Sequence, residues 1–161
     1  MNYFKLFNIE EKFKINYKTL SKEFYKLQIK FHPDKNIKQS KNIKNFIQKS
    51  IIINNAYNIL KNPIKRAEYI IRKNYSKKTN KYHIYDHKFL LYYFNLNNKI
   101  EETNKKFNNK KKLKKILKEI KKNKLKYYEK INIYIKKKQW KKSEKILIKL
   151  KFLQKILNKY L

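Results

Sequence analysis

The fold of the N-terminal half depends on the stretch LQIKFHPDK, residues 27–35. Its first residues complete a series of apolar positions at the three- and four-residue spacings of one helix face. That series is Leu20, Phe24, Leu27 and Phe31. Asn16 can cap the start of this helix, because its side-chain oxygen can accept from the first free amides. Pro33 ends the helix, since it lacks an amide hydrogen and disfavours helical angles at His32.

A second helix is predicted over residues 41–61. Its apolar side consists of Ile43, Ile47, Ile53, Tyr57 and Leu60. Asn62 and Pro63 indicate a cap followed by proline at the first position of a short helix. We therefore expect residues 1–75 to form one domain, an antiparallel helix pair with flanking short helices. The tripeptide His32-Pro33-Asp34 lies at the tip of that pair.

The second half predicts an antiparallel three-helix bundle over residues 86–161, after a polar linker at 76–85. Asp86 is expected to cap the first of its helices. Each helix carries one apolar stripe. The stripes are Phe89, Tyr93, Leu96 and Ile100, then Leu113, Leu117, Ile120, Tyr127, Ile131 and Ile135, and finally Trp140, Leu147, Leu150, Leu153, Leu157 and Leu161. No segment alternates as a strand does, so the predicted fold class is all-α.

Some apolar residues of this half exceed what one core stripe needs. They are Leu90, Leu91 and Phe94 on the first helix and Phe152 on the last. Exposed apolar patches often mark partner sites. A bundle helix can also bury a wide face, and the pattern alone leaves both explanations open.

The charge is the most extreme compositional feature, because the 161 residues carry a formal net charge of +34. An acidic partner such as nucleic acid is one explanation. Nucleotide bias is the other, since the abundant lysine, asparagine, isoleucine, tyrosine and phenylalanine have A/T-rich codons and glycine, with G-rich codons, is absent. We favour bias, because Arg66 and Arg72 are the only arginines and arginine is the preferred base reader.

Missing residue types narrow the chemistry. The chain has no cysteine, which excludes disulfides and thiolate metal sites. It has no glycine, which removes phosphate-cradling loops and dinucleotide fingerprints. The longest apolar run, residues 89–94, is far shorter than the ~20 residues of a membrane span. The N-terminus lacks the apolar region of a secretory signal, so we expect a cytoplasmic protein without a membrane partner.

No catalytic or metal site is predicted. His32 is accompanied by no nucleophile and no metal cluster. His83, Asp86 and His87 form a small potential metal set, with the histidines one helical turn apart. Two histidines and one carboxylate near a linker are more often surface residues, so we expect no metal there.

The N-terminal half resembles a J-domain. The residues that carry this resemblance are Tyr3-Phe4, Leu6-Phe7, the Leu20-Phe24-Leu27 helix, His32-Pro33-Asp34-Lys35, the run 55–60, Pro63 and the run 66–69. Residues 62–70, the Phe89-Leu90-Leu91 helix and the segment 149–153 are similar to the HscB family of iron–sulfur cluster co-chaperones. With the two-part layout, this resemblance covers nearly the whole chain.

The resemblance implies a two-partner adaptor that is not an enzyme. The J-domain would engage a DnaK-type chaperone of the HscA kind and stimulate its ATPase. The residues implied for that contact are His32, Pro33, Asp34, Lys35 and the basic face of Lys22, Lys26 and Lys30. The C-terminal bundle would bind the cluster scaffold protein, IscU, and deliver it to the chaperone. No cofactor is implied, because the scaffold would carry the cluster.

The family's scaffold-binding pattern carries onto one helix and one further residue. The positions are Leu90, Leu91, Phe94, Asn95, Asn98, Glu102 and Phe152. Family members often have acidic residues where this chain has Asn95 and Asn98. Only Glu102 keeps the acid, so the resemblance implies a weaker electrostatic contribution or a compensating change in the scaffold.

Two other functions remain as alternatives. One is a basic nucleic-acid-binding protein, although nucleic acid is not our expected partner. The other is a J-protein with a different client. The lysines at four-residue spacing on the first long helix, such as Lys22, Lys26 and Lys30, repel one another weakly. They form either a solvated face or a docking face for an acidic partner, and the sequence leaves that choice open.

Overall fold

The computed structural model describes residues 1–31, 43–75, 87–105 and 109–160. Within those ranges every regular element is a helix, which confirms the all-α prediction. The helices are α1 (Tyr3–Leu6), α2 (Tyr17–Phe31), α3 (Ile43–Lys61), α4 (Pro63–Asn74), α5 (His87–Lys105), α6 (Lys110–Lys136) and α7 (Trp140–Tyr160).

The chain divides into two compact units, residues 1–70 and 71–161. The predicted linker at 76–85 and the predicted cap Asp86 lie outside the described residues. The domain limits at 75 and 86 therefore stay predictions.

Local capping chemistry starts two helices where the sequence predicted. The Asn16 side-chain oxygen accepts from the amides of Lys18 at 2.9 Å and Thr19 at 3.2 Å. The Asn62 side-chain oxygen does the same for Ile64 at 2.9 Å and Lys65 at 3.1 Å. These bonds satisfy amides that have no partner inside the first turn of a helix. Pro63 is the first residue of α4, as predicted.

In the N-terminal unit, α3 packs against both α2 and α1. An aromatic cluster lies between them, with Phe24 stacked on Tyr57 at 3.9 Å between ring centroids and Phe7 edge-on to Tyr57 at 6.5 Å. The Gln28 amide donates to Asn54 at 2.7 Å. Phe24 thus contacts Tyr57, whereas the later residue Gln28 contacts the earlier residue Asn54. The two helices are therefore antiparallel, as predicted.

The predicted apolar side of α3 is wrong for Ile47. Ile53 and Leu60 are buried, whereas Ile47 is 43% exposed. At about 100° per residue, Ile47 lies about 120° around the helix from Ile53, which is outside a narrow buried face. Ala56 fills the side that contacts the neighbouring helices and is fully buried.

A buried arginine connects the segments of the N-terminal unit. The Arg66 side chain is 3% exposed. Its Nε donates to the carbonyl oxygen of Phe13 at 2.7 Å, and one terminal nitrogen donates to the carbonyl of Leu60. The other terminal nitrogen donates to the Tyr17 hydroxyl at 3.2 Å. This one side chain thereby joins the segment before α2, the start of α2 and the end of α3.

The C-terminal unit contains α5, α6 and α7. Helices α6 and α7 pack along each other, and α5 contacts both. Their shared core consists of Ile100, Ile116, Leu117, Ile120, Leu153, Ile156 and Leu157. Lys124 of α6 contacts Gln154 of α7, and Glu101 near the end of α5 contacts Lys159 near the end of α7. Helix α7 is therefore antiparallel to α6 and parallel to α5, which is the up-down-up order of the predicted antiparallel bundle.

Helix α6 ends on a Schellman motif without glycine. The amide of Gln139 donates to the carbonyl of Tyr134 at 2.9 Å, and that of Lys138 to Ile135 at 3.0 Å. Lys138 has φ of 54°, in the left-handed region that glycine usually occupies. This turn reverses the chain directly into α7.

We predict that Arg66→Lys destabilises the N-terminal unit by about 1–3 kcal/mol, because lysine keeps the charge but leaves buried carbonyl acceptors without their donors. Urea unfolding of the full chain, followed by circular dichroism, measures this difference. Arg72→Lys, the same change at an exposed position, is the matched control and should shift the free energy of unfolding by less than about 1 kcal/mol, the range of a surface ion pair. Equal effects of both changes would contradict the assigned role of Arg66.

Candidate functional site

The basic face predicted on α2 is exposed. Lys22, Lys26 and Lys30 recur at one-turn spacing, and each side chain is accessible. Lys26 Nζ lies 2.6 Å from the Glu23 carboxylate, and Lys30 Nζ lies 5.6 Å from the centroid of the Phe31 ring. The Glu23 contact offsets part of the repulsion between neighbouring lysines, which otherwise disfavours this spacing.

The two helix ends next to the His-Pro-Asp segment lie close together. Phe31, the last residue of α2, contacts Phe46 of α3 with ring centroids 6.3 Å apart. Lys49 Nζ lies 5.1 Å from the centroid of the Phe31 ring. His32, Pro33, Asp34 and Lys35 themselves lie outside the described residues. Their roles therefore stay predictions.

The surplus apolar residues of α5 form an exposed surface. We call the side chains Leu90, Leu91, Phe94, Asn95, Asn98 and Glu102 the α5 patch. They share one side of the helix because they recur at three- and four-residue spacings. Leu91 is 51% and Phe94 is 62% exposed, while Leu90 is half-buried. Of the two explanations left open by the sequence, a buried wide face is therefore wrong for Leu91 and Phe94.

Asn95, Asn98 and Glu102 continue the α5 patch along the helix, and all three are exposed. The neighbouring Glu101 is paired with Lys159 of α7 at 2.9 Å. The hydrogen bond from Lys159 and its positive charge lower the pKa of Glu101. The α5 patch is therefore apolar at its start and uncharged in its middle, with the Glu102 carboxylate at its end.

Phe152 lies beside α5 but is not freely exposed. Its ring centroid is 4.6 Å from that of Tyr93 and 6.0 Å from that of Phe89. Phe89 is a core residue of α5, Tyr93 is partly buried against the core, and the two adjoin Leu90 and Phe94 along the helix. The structure thus brings Phe152 next to the α5 patch, at the edge of the bundle core.

Tyr92 is a residue that the sequence reasoning missed. It is 42% exposed and lines a cavity of about 380 Å³ among α5, α6 and α7, together with Glu119 and Asn123 of α6. Burial raises the pKa of Tyr92, the Asn123 hydrogen bond opposes the rise, and the Glu119 charge adds to it. Only the contact with α6 identifies this position, because Tyr92 lies off the apolar stripe of its own helix.

The structure gives no support to a metal site in the part of the chain that it describes. No group of three or more histidine, cysteine, aspartate or glutamate side chains is arranged to hold an ion there. His87 is described and exposed, whereas His83 and Asp86 lie outside the described residues. Among the described helices, none is both long enough and apolar enough to cross a bilayer.

Two family models together match most of the chain. Residues 2–69 match the DnaJ domain, and residues 85–160 match the HSCB C-terminal oligomerisation domain. The co-chaperone protein HscB of Buchnera aphidicola subsp. Acyrthosiphon pisum is 40% identical over 158 residues, which cover 97% of this chain and 91% of that protein. The HscB homolog of Colwellia psychrerythraea is 40% identical over 104 residues, or 63% of this chain and 59% of that one.

Two solved structures have the same fold. Chaperone HscB from Vibrio cholerae superposes with a TM-score of 0.88 at 28% identity, covering 99% of this chain and 94% of that one. The crystal structure of human co-chaperone protein HscB gives a TM-score of 0.86 at 21% identity, covering 99% and 80%. At that lower identity the human likeness shows the fold alone.

The burial of the candidate residues predicts different effects on stability. Leu91→Ala and Phe94→Ala should each change the free energy of unfolding by less than about 0.5 kcal/mol, because both side chains are mostly exposed. Phe152→Ala should destabilise the C-terminal unit by more than about 1 kcal/mol, since it removes two aromatic contacts. Trp140, the chain's one tryptophan, lies in α7 and reports this unit by fluorescence during urea unfolding. A neutral Phe152→Ala would contradict the described packing.

Proposed function

This chain belongs to the HscB family of J-domain co-chaperones, and from that premise we propose that it delivers an IscU-type iron–sulfur scaffold protein to a DnaK/HscA-type chaperone and stimulates that chaperone's ATPase. HscB-type J-domain proteins partner Hsp70-type chaperones, and theirs is not an enzyme family. The observation that carries the proposal for the scaffold is the exposure of Leu91 and Phe94 on α5. The cytoplasmic location expected from the sequence belongs to the same proposal.

The proposed chaperone contact combines the His-Pro-Asp segment with the cationic face of α2. Pro33 fixes part of the backbone next to Asp34, so less conformational entropy is lost on binding. The Asp34 carboxylate would accept a hydrogen bond from a cationic or amide donor of the chaperone, a bond that contributes roughly 1.5–3 kcal/mol. The exposed α2 lysines would face an acidic groove, which accelerates encounter more than it strengthens the final complex.

The proposed scaffold contact is mainly apolar. Burying a leucine or a phenylalanine fully contributes roughly 1.5–3 kcal/mol, so Leu91 and Phe94 can supply the centre of an interface. Asn95 and Asn98 add hydrogen-bonding amides without charge. Glu102 supplies a carboxylate at one end of the α5 patch. We therefore expect the affinity for the scaffold to depend weakly on ionic strength, because screening acts on charges.

The proposal assigns no cofactor and no catalytic residue to this chain. The iron–sulfur cluster would be cargo of the scaffold. The work of the co-chaperone would consist of binding two proteins at once, and linked binding sites raise the effective concentration of the second partner. This also explains why two units with different surface chemistry occur in one chain.

Asp34→Asn should abolish stimulation of the chaperone ATPase, because the amide cannot replace the acceptor charge. The steady-state ATPase rate of the cognate HscA-type chaperone, with and without scaffold, measures this. The chain has one other aspartate, Asp86, and Asp86→Asn makes the same change of charge as a control. Asparagine caps a helix as well as aspartate does, so stimulation by that variant should be unchanged. Full stimulation by Asp34→Asn would remove the J-domain half of the proposal.

The double variant Leu91→Ala/Phe94→Ala should weaken scaffold binding by about 100-fold, which corresponds to about 2.7 kcal/mol. Titration calorimetry with the purified IscU-type scaffold measures the affinity. Ile47→Ala/Ile51→Ala is the control, because these residues are also exposed, by 43% and 54%, one turn apart on α3. It should bind the scaffold as the unmodified chain does. Unchanged affinity of the α5 double variant would show that the scaffold binds elsewhere or not at all.

A further inference from the structure

A second groove lies in the C-terminal unit, between α6 and α7. We call it the α6–α7 groove, and its volume is about 650 Å³. The lining residues that matter are Lys121, Lys124, Leu125 and Tyr128 of α6, with Gln154 and Leu157 of α7. The volume lies in the range of pockets that bury most of a small ligand or a few side chains.

The groove is separate from the α5 patch. On α6, the residues that line cavities with α5 include Glu119 and Asn123. The α6 residues of the α6–α7 groove, such as Lys121 and Leu125, lie on the opposite side of that helix. At about 100° per residue, they point away from the side that carries Glu119 and Asn123. A ligand in this groove would therefore leave Leu91 and Phe94 accessible.

The groove has one exposed and one buried leucine in its lining. Leu125 is 64% exposed. Leu157 is 4% exposed and forms part of the wall, and Tyr128 is half-buried beside it. An entering apolar side chain would cover Leu125 and rest against Leu157.

Two lysines bring positive charge to the same place. Lys124 is partly buried, and its Nζ donates to the side-chain oxygen of Gln154 and lies 5.5 Å from the centroid of the Tyr128 ring. Burial and the charge of Lys121 lower the pKa of Lys124. No carboxylate lines the groove in the described part of the chain. A bound anion would therefore relieve the repulsion between these two ammonium groups.

We propose that the α6–α7 groove binds an acidic amphipathic peptide segment of a partner protein. An apolar side chain of the segment would contact Leu125 and Leu157, and a carboxylate would pair with Lys124 and Lys121. Charge complementarity favours this occupant over a second copy of the chain, because the described lining of the groove has two lysines and no carboxylate and the chain has only 11 acidic residues to offer. The concave shape favours a side chain over the flat surface of a membrane. The proposal does not depend on the proposed function.

A labelled synthetic peptide tests this directly. The peptide is designed as an amphipathic helix. One side carries leucine and phenylalanine one helical turn apart, and the adjacent side carries glutamates. Amphipathic helices of this kind bind apolar grooves in known complexes. Two matched peptides replace the glutamates by glutamine, or the apolar pair by alanine. Fluorescence anisotropy with the full chain at about 0.15 M salt measures affinity. Amide NMR shifts of the full chain locate the contact.

The matched variants are Lys121→Gln/Lys124→Gln and Lys122→Gln/Lys126→Gln. All four lysines are on α6, and both variants remove two charges, but the second pair is exposed outside the groove. We expect the first variant to weaken binding of the acidic peptide by about tenfold and the second by less than about twofold. The NMR shifts should cluster at Leu125, Tyr128 and Leu157, and both control peptides should bind more weakly.

Several results would overturn the proposal. Equal weakening by both lysine variants would mean that any acidic peptide binds this cationic chain by general attraction. Equal binding of the glutamine peptide would remove the ionic part of the site. NMR shifts outside the groove would show that the peptide binds elsewhere. Self-association that covers the groove would show that a second copy of the chain is its occupant. Either result would overturn the proposal. The groove and the scaffold contact are tested by different variants. The groove proposal therefore stands even where Leu91→Ala/Phe94→Ala leaves scaffold binding intact.

Discussion

The guanidinium of Arg66 holds the base of the α2–α3 pair in place. It donates to the carbonyls of Phe13 and Leu60 and to the Tyr17 hydroxyl, at the end of the pair opposite Phe31. The Tyr69 hydroxyl makes a second connection, since it accepts from the amide of Tyr3 at 3.0 Å. An antiparallel pair that is fixed at its base, and packed through its length, presents its other end in a defined way. The proposed docking of the His-Pro-Asp segment depends on that.

Some of the excess lysines pack over aromatic rings. The chain has 45 basic and only 11 acidic residues, so carboxylates cannot pair with most of its cations. Lys149 lies 5.0 Å from the Phe89 ring centroid, and Lys61 lies 5.4 Å from that of Tyr57. Such contacts are worth roughly 0.5–1 kcal/mol at exposed sites, similar to a surface ion pair. A composition rich in both lysine and aromatic residues can therefore fold in spite of its net charge.

The features that could be predicted from the sequence are those set by local spacing. Asn16 and Asn62 cap helices because their side chains reach amides two and three residues away. The buried stripe residues of the bundle, such as Leu150 and Leu153, follow from helical periodicity. Nothing local distinguishes Lys138, whose positive φ is imposed by the reversal between α6 and α7.

The candidate surfaces were less predictable, because exposure depends on which sides of a helix its neighbours cover. The sequence identified Leu91 and Phe94 as surplus to the core stripe but left a wide buried face open. Their exposure on α5 follows only from where α6 and α7 pack. Tyr92 and the α6–α7 groove were missed for the same reason, since the surroundings of each depend on how one helix packs against the next one along the chain.

The three surfaces differ in the chemistry that they offer. The α2 face presents lysines, the α5 patch presents apolar and amide groups, and the α6–α7 groove combines an apolar wall with two cations. On a chain of net charge +34, an acidic protein is attracted everywhere, so charge alone cannot select a partner. In the proposed scaffold contact, selection at the α5 patch would come from Leu91 and Phe94, where charge contributes least. Such a contact would not need carboxylates at Asn95 and Asn98, because discrimination that rests on shape and apolar contact does not depend on charge.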